Sequence, residues 1–374
     1  MRALLALAYF ATAVCAQCTG RSTLASMEPV GTEELCKKYS MVPRQTPATI
    51  YDAILFNDEL DMLEIRLNEL YDVVDHIVLV ESATTHQNQP KPLHYAENAG
   101  HFSRFADKIV HVALDDLLGE HLPEWFTPLQ VAFQNEWYHR ETLFREGLHQ
   151  PGKEVQIGDL VMSGDLDEIP KAEAVRALKH CEWEPKPGMD DCVALEGSIS
   201  YFAYSWVAGA WNAGPRVVKW LGNGTSDSQE GKNNLRYHAN CSLILEQSSW
   251  HCSDCFATIA QVQRKIKSFC HSDKNRYPYN DTQFIVDRFA RGLALFTDKE
   301  EDARMKRVGY CNNAPSYVLA NPGRFHYMLS RDPVTGSFSD YADHFSNRTD
   351  VVGNFHGEWT VRTFEDPDGK TFSV

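Results

Sequence analysis

Residues 165–168, Asp-Leu-Asp-Glu, are the part of this chain best equipped for chemistry. Three carboxylates, Asp165, Asp167 and Glu168, crowd one short stretch and repel one another unless a cation lies between them. Hard oxygen ligands of this kind suit Mn2+ or Mg2+, and those ions in turn bind phosphate oxygens. A solvated turn is the other ordinary home for such residues. The flanking sequence favours the first reading. The apolar run Leu160-Val161-Met162 is too short for a helix and reads as a buried strand. Pro170 then opens a helical pattern over residues 171–180, because proline fits a helix's first turn. Acids between a strand's end and a helix's start lie where open α/β sheets hold their ligands.

The elements that would position these acids follow from periodicity. Residues 51–56 (YDAILF) form a first strand. Apolar positions at Leu60, Leu63, Ile65, Leu67 and Leu70 mark a helix, and residues 76–80 (HIVLV) a second strand. Together they make a βαβ unit with a parallel strand pair. Residues 108–112 give a third strand, 129–148 a long helix and 192–204 another strand. Residues 243–245 are a short apolar piece, and 258–269 and 284–295 are helical. Residues 222–234 are rich in Gly, Ser and Asn and read as a loop.

Composition narrows the function classes. The chain has 374 residues, 43% of them hydrophobic, enough for a substantial core. A formal charge of −15 argues against nucleic acid and anionic membrane as partners. Residues 1–16 have the form of a cleavable secretory signal, shorter than the ~20 residues a membrane span needs. Contact with a membrane is expected only if that signal stays attached. Of ten cysteines, Cys15 falls in the signal. The other nine suggest up to four disulfides and one free thiol. Nearness in sequence proposes Cys18–Cys36 and Cys181–Cys192. Sequons at Asn223, Asn240, Asn280 and Asn347 are candidate glycan sites. Residues 17–49 read as a stem or cap and 331–374 as a loosely packed tail, with 50–330, which holds the acidic turn, as the main domain between them.

Four blocks together resemble glycosyltransferase family 17: FNDELDMLEIRLNELYDVVDHIVLVES (56–82), QPKPLHY (89–95), GDLDEIP (164–170) and WHCSDCF (250–256), with RFHYML (324–329) as a coda. The resemblance implies an α/β, GT-A-like fold with a mixed, mostly parallel central sheet flanked by helices. It further implies a UDP-GlcNAc donor, inversion at the anomeric carbon, Mn2+ or Mg2+, a mannose of an N-glycan or related glycan as acceptor, and work in the Golgi lumen or beyond it. On that footing Asp165 and Asp167 hold the metal and Glu168 orients its surroundings. Glu81 and Ser82 meet the uridine and ribose, and Lys91 and Arg140 meet the diphosphate. The base that takes the acceptor's proton is left open among Glu196, His251 and Asp254. Asp254 stands where the animal members carry Trp, which points to a different acceptor surface.

Plainer roles stand beside these. Cys252 and Cys255 lack the second Cys-x-x-Cys that zinc would want, so a structural disulfide is expected. His251 and His326 are equally core histidines. Trp206, Trp211 and Trp220, with Tyr201 and Tyr204, are either a sugar-stacking platform or core. Glu59, Asp61 and Glu64 are either a solvated helix face or part of the donor cleft. Rival functions are the same fold with another sugar or acceptor, a metal-dependent phosphohydrolase, and a secreted glycan-binding protein without catalysis.

Overall fold

A computed structural model describes residues 31–115, 122–222, 240–297, 305–310, 313–345, 363–365 and 371–373. The strands in chain order are β1 (Val42–Pro43), β2 (Ile50–Leu55), β3 (His76–Ser82), β4 (Ile109–Leu114), β5 (Leu160–Ser163), β6 (Glu168–Pro170) and β7 (Cys181–Glu182). They continue with β8 (Asp190–Tyr201), β9 (Trp206–Trp211), β10 (Arg216–Lys219), β11 (Cys241–Ser253), β12 (Lys306–Arg307), β13 (Thr363–Glu365) and β14 (Thr371–Ser373). The helices are α1 (Thr32–Lys38), α2 (Leu60–Leu70), α3 (His94–Asn98), α4 (Pro128–Arg145), α5 (Ala172–His180), α6 (Ile259–Ser268) and α7 (Thr282–Arg291). Short turns of helix follow at α8 (Ser316–Ala320), α9 (His326–Leu329) and α10 (Tyr341–Phe345). No helix among the described residues is long and apolar enough to cross a membrane.

The main sheet has the order β12-β9-β8-β10-β5-β2-β3-β4, with β11 along the other edge of β8 and β6 beside β11. The expected βαβ unit is present: β2, α2 and β3 place Tyr51 opposite His76 in a parallel pair. Strands β5, β2, β3 and β4 run parallel, and β11 runs parallel to β8. The pairs β5–β10, β10–β8, β8–β9, β9–β12 and β6–β11 are antiparallel. The sheet is therefore mixed rather than mostly parallel. From β8 through β9 to β10 the chain turns back with no helix between strands, and only antiparallel neighbours can be joined so directly.

Leu160, Val161 and Met162 are fully buried, because β5 lies inside the sheet with apolar clusters on both faces. Helix α2 buries most of its circumference, including Glu64, Arg66 and Glu69. Its acids Asp61, Glu64 and Glu69 anchor side chains and backbone from residues 316–327. Glu64 accepts hydrogen bonds from Tyr317 Oη (2.7 Å) and Arg324, Glu69 from Ser316 and the Tyr317 backbone, and Asp61 from Tyr327 Oη (2.7 Å).

Other expectations are corrected. Pro170 closes β6, and α5 begins at Ala172 after Lys171. A proline at that strand end forgoes no needed donor. The short apolar piece at 243–245 belongs to the thirteen-residue β11, which also carries Trp250, His251 and Cys252. The disulfides are Cys36–Cys181, Cys192–Cys241 and Cys252–Cys255, with Cys270 a buried free thiol. Thus Cys36 and Cys192 do not take their sequence neighbours; β1 pairs with β7 and β8 with β11, which brings distant cysteines side by side. Cys18 and Cys311, like the signal at 1–16, lie outside the described residues. Packing also continues past residue 330. Arg331 is buried, donating to the carbonyl oxygens of Phe202 (2.9 Å), Gly336 (3.1 Å) and Phe256 (2.6 Å), and Phe338 joins a third apolar cluster with Phe289.

Non-reducing peptide mapping is expected to link Cys36 to Cys181, Cys192 to Cys241 and Cys252 to Cys255. Replacing Cys36 by Ala should cost about 2–4 kcal/mol of stability, because it frees a long loop in the unfolded chain. An unchanged melting temperature in that variant would refute the bridge's structural role.

Candidate active site

A cleft of about 790 Å³ opens at the C-terminal ends of β2, β3 and β5, where an α/β sheet commonly binds its ligands. Asn57 and Glu59 follow β2 into it, Ser82 and residues 84–86 follow β3, and Asp165 to Asp167 follow β5. Helix α4 supplies one wall through Phe133, Glu136, Trp137 and Arg140. Tyr201, Trp211, His251 and Asp254 form the other.

The acidic turn is held from beneath. Gly164 starts it, and a side chain there would press on Pro215 at 2.9 Å. The Glu168 backbone N–H returns to the Asp165 carbonyl (3.0 Å), closing the turn. Glu168 itself is fully buried. Its Oε2 accepts the Asp165 backbone N–H (3.0 Å) and its Oε1 accepts Trp211 Nε1–H (2.7 Å). Below this lies Arg66, 1% exposed. Its Nε and Nη2 donate to both carboxylate oxygens of Asp52 (2.8 and 2.7 Å), and its Nη1 to the carbonyl oxygens of Asp165 (2.9 Å), Leu166 (3.3 Å) and Glu168 (2.8 Å). The Cys252 N–H fastens the Asp167 carbonyl from the side (3.2 Å). With their backbone so fixed, the side chains of Asp165 and Asp167 keep 36% and 21% exposure and face the cleft.

Cations answer most of the acids. Arg140 bridges Asp165 (2.6 Å) and Glu136 (2.8 Å). Burial opposes its charge, but Asp165 and Glu136 more than restore it, and its pKa stands well above the ordinary value. His251 Nε2 lies 3.5 Å from Asp167 Oδ2, and its ring meets Trp211 edge-on at 4.6 Å. Burial works against ionisation of Asp167, yet His251 and then Lys265 hold its pKa below the usual carboxylate value. Lys265 pairs with Asp254 (3.0 Å), which takes a left-handed backbone (φ 55°) inside the Cys252–Cys255 loop. Lys91 differs from these. It donates only to the carbonyl oxygens of Asn57 (3.2 Å) and Pro92 (3.4 Å), and burial lowers its pKa. Among the described residues no carboxylate sits within ion-pair distance of it. Burial likewise pushes His86 down to about 4 and His139 well below its ordinary value, so both rings are neutral near pH 7.

The structure thus brings together Asp165, Asp167, Ser82, Lys91, Arg140, His251 and Asp254. Glu168 lies beneath the turn instead of lining the cleft. Glu81 is 1% exposed, its oxygens taken by the N–H groups of Tyr95 and Ala96 at the start of α3 and by His111 (2.7 Å). Glu196 is out of phase along β8 with Ile199 and Tyr201, which line the cleft, so it sits on the far face. Of the aromatic candidates, Trp211 and Tyr201 line the cleft. Tyr204 and Trp220 are core, and Trp206 packs on Gly292. Sequence reasoning did not single out Arg66 with Asp52, Lys265, or the α4 pair Phe133 and Trp137. A charged residue at a core-facing helix position was the one signal for Arg66. Asn240 is exposed and Asn280 half-buried; Asn223 and Asn347 lie outside the described residues.

No group of three His, Cys, Asp or Glu side chains among the described residues could cage a metal ion. Two carboxylates on a rigid turn instead fit an ion that takes its other ligands from phosphate and water, the usual habit of Mg2+ and its relatives.

The profile of glycosyltransferase family 17 matches residues 22–333. The chain is 27% identical over 329 residues to the beta-1,4-mannosyl-glycoprotein 4-beta-N-acetylglucosaminyltransferase of Homo sapiens, covering 78% of this chain and 57% of that protein. Proteins of the same name from Rattus norvegicus and Mus musculus are each 26% identical over 327 residues, with 78% and 56% covered. The chain therefore spans little more than half the length of the curated relatives it matches.

Replacing Arg66 by Met should destabilise the protein by about 3–5 kcal/mol, since Asp52 is left charged and unpaired in the core. Adding Asp52→Leu should recover much of that loss. Denaturant unfolding of the two variants checks this; equal instability in both would show that the pair is not what the turn rests on.

Proposed function

The chain belongs to glycosyltransferase family 17, and on that premise we propose that it is an inverting, metal-dependent enzyme that moves N-acetylglucosamine from UDP-GlcNAc to a mannose of an N-glycan or related glycan. The observation that carries this reading is the pair Asp165 and Asp167, presented to a cleft by a turn whose backbone is pinned by Arg66. Asp165 and Asp167 would hold Mn2+ or Mg2+ against the donor's diphosphate. A cation bound there neutralises negative charge that gathers on the departing nucleotide. The donor site is GT-A-like in this reading, with phosphates over the parallel half of the sheet.

This chain's own residues supply the remainder. Lys91, a half-buried ammonium whose nearest partners are neutral carbonyls, meets a phosphate oxygen. Ser82 sits at the end of β3, in reach of the nucleoside side of the cleft. Trp211 and Tyr201 offer flat faces to a pyranose on the opposite wall. His251 keeps Asp167 ionised and oriented. Three disulfides among the described residues suit an oxidising compartment, in keeping with work in the Golgi lumen behind a cleaved signal. Neither a phosphohydrolase nor a non-catalytic lectin is favoured by a particular contact. A lectin has no use for the fixed acidic turn.

Calorimetry with UDP-GlcNAc is expected to show binding with Mn2+ and none with chelator, and Asp167→Ala should abolish the metal-dependent part. Lys91→Ala should weaken nucleotide binding about 10- to 100-fold, as for a lost charged hydrogen bond. Transfer to defined mannose-bearing glycans tests the acceptor. A protein indifferent to the nucleotide would sink the proposal.

A further inference from the structure

We propose that Glu59 is the catalytic base, the group that removes the proton from the attacking hydroxyl of the acceptor sugar. The inference rests on the glycosyl-transfer reading above and adds the one chemical role which that reading leaves vacant.

Every other carboxylate that lines the cleft is engaged by a side chain. Asp165 and Glu136 share Arg140, Asp167 faces His251, Asp254 faces Lys265, and Asp61 holds Arg324 and Tyr327. Glu59 is the exception among the described residues. Its Oε2 accepts only the Asp58 backbone N–H (3.0 Å), and its Oε1 has no side-chain partner. The residue is half-buried, at the N-cap of α2, just past the end of β2. That gives it a firm backbone, and it lines the cleft. The other candidates fare worse on geometry. His251 Nδ1 has no surface open to a substrate, and its Nε2 is turned to Asp167. Asp254 is 3% exposed and bound to Lys265.

The surroundings suit the task. Burial, then Asp58, raises the pKa of Glu59 to about 7; Lys265 pulls it down and Asp167 pushes it up. Lys91 and Arg264, the latter paired with Asp58, complete the charges around it. A base poised near the working pH is the efficient kind. In the step, the acceptor O–H proton passes to Glu59, and the freed oxygen lone pair forms the bond to the anomeric carbon. The bond from that carbon to the diphosphate breaks with its electron pair on UDP. Glu59 later returns the proton to water.

Glu59→Gln in the full chain tests this. Transfer should fall about 10²- to 10⁴-fold, the usual share of a general base. Metal-dependent UDP-GlcNAc binding and the melting temperature should stay close to wild type. The wild-type rate should rise with pH as Glu59 ionises, and that rise should vanish in the variant. Glu59→Asp, which keeps the charge, should restore part of the rate and guards against a folding artefact. A Gln variant that transfers normally would overturn the assignment, as would one whose donor binding falls in step with its rate. Failure of the wild type to bind or use any UDP-sugar would instead overturn the enzymatic reading beneath it.

Discussion

A single buried guanidinium underlies the arrangement of the cleft. Arg66 reaches from helix α2 to Asp52 on β2 and to three carbonyl oxygens of the turn after β5. Neither charge could enter the core alone, because an isolated ion loses far more in hydration than packing returns. Together they satisfy each other, and the leftover donor is aimed at backbone. Strand β2, helix α2 and the acidic turn thereby become one rigid piece. Glu168 and Trp211 finish the work from the other side, using a carboxylate as a bracket.

That rigidity lets electrostatics decide what the cleft can accept. Its acids are matched by Arg140, His251 and Lys265, so the site is not an open well of negative charge despite the chain's overall −15. Adding two phosphates to such a place requires positive charge not already spoken for. In the proposed reading Lys91, flanked by neutral carbonyls, would supply some of it, and a divalent ion on the aspartates the rest. Among the described residues lining the cleft, the same balance leaves one carboxylate, Glu59, without a side-chain partner. An acid in that position is costly to ionise, which is the property a proton acceptor near neutrality needs.

Much of this was legible from residues alone, and the rest was not for identifiable reasons. Apolar runs at 51–56, 76–80 and 160–162 announce buried strands because no other element hides so short a hydrophobic stretch. The acids at 165–168 were conspicuous for the same reason: they interrupt the pattern at a strand's end. By contrast, Glu168 turns inward only because Trp211, 43 residues later, meets it. Cys36 finds Cys181 across 145 residues because two tiny strands pair. Glu81 looked like a ligand contact but serves the start of α3. Local spacing carries no information about such distant encounters. Strand direction past β5 was missed likewise, since one βαβ unit says nothing about how later strands return.

Arg331 has a consequence for anyone wishing to trim the protein. Its guanidinium is sealed inside, stitched to carbonyls from three separate segments and stacked near Phe289, Tyr327 and Phe338. Burial, with no acid paired to it among the described residues, pulls its pKa down to about 9. Ending the polypeptide at the last residue matched by the family, 333, would keep this charge but strip away Gly336 and Phe338 that house it. The smallest self-sufficient fragment therefore extends beyond the homologous block, and its far border is set by an arginine's need for shelter.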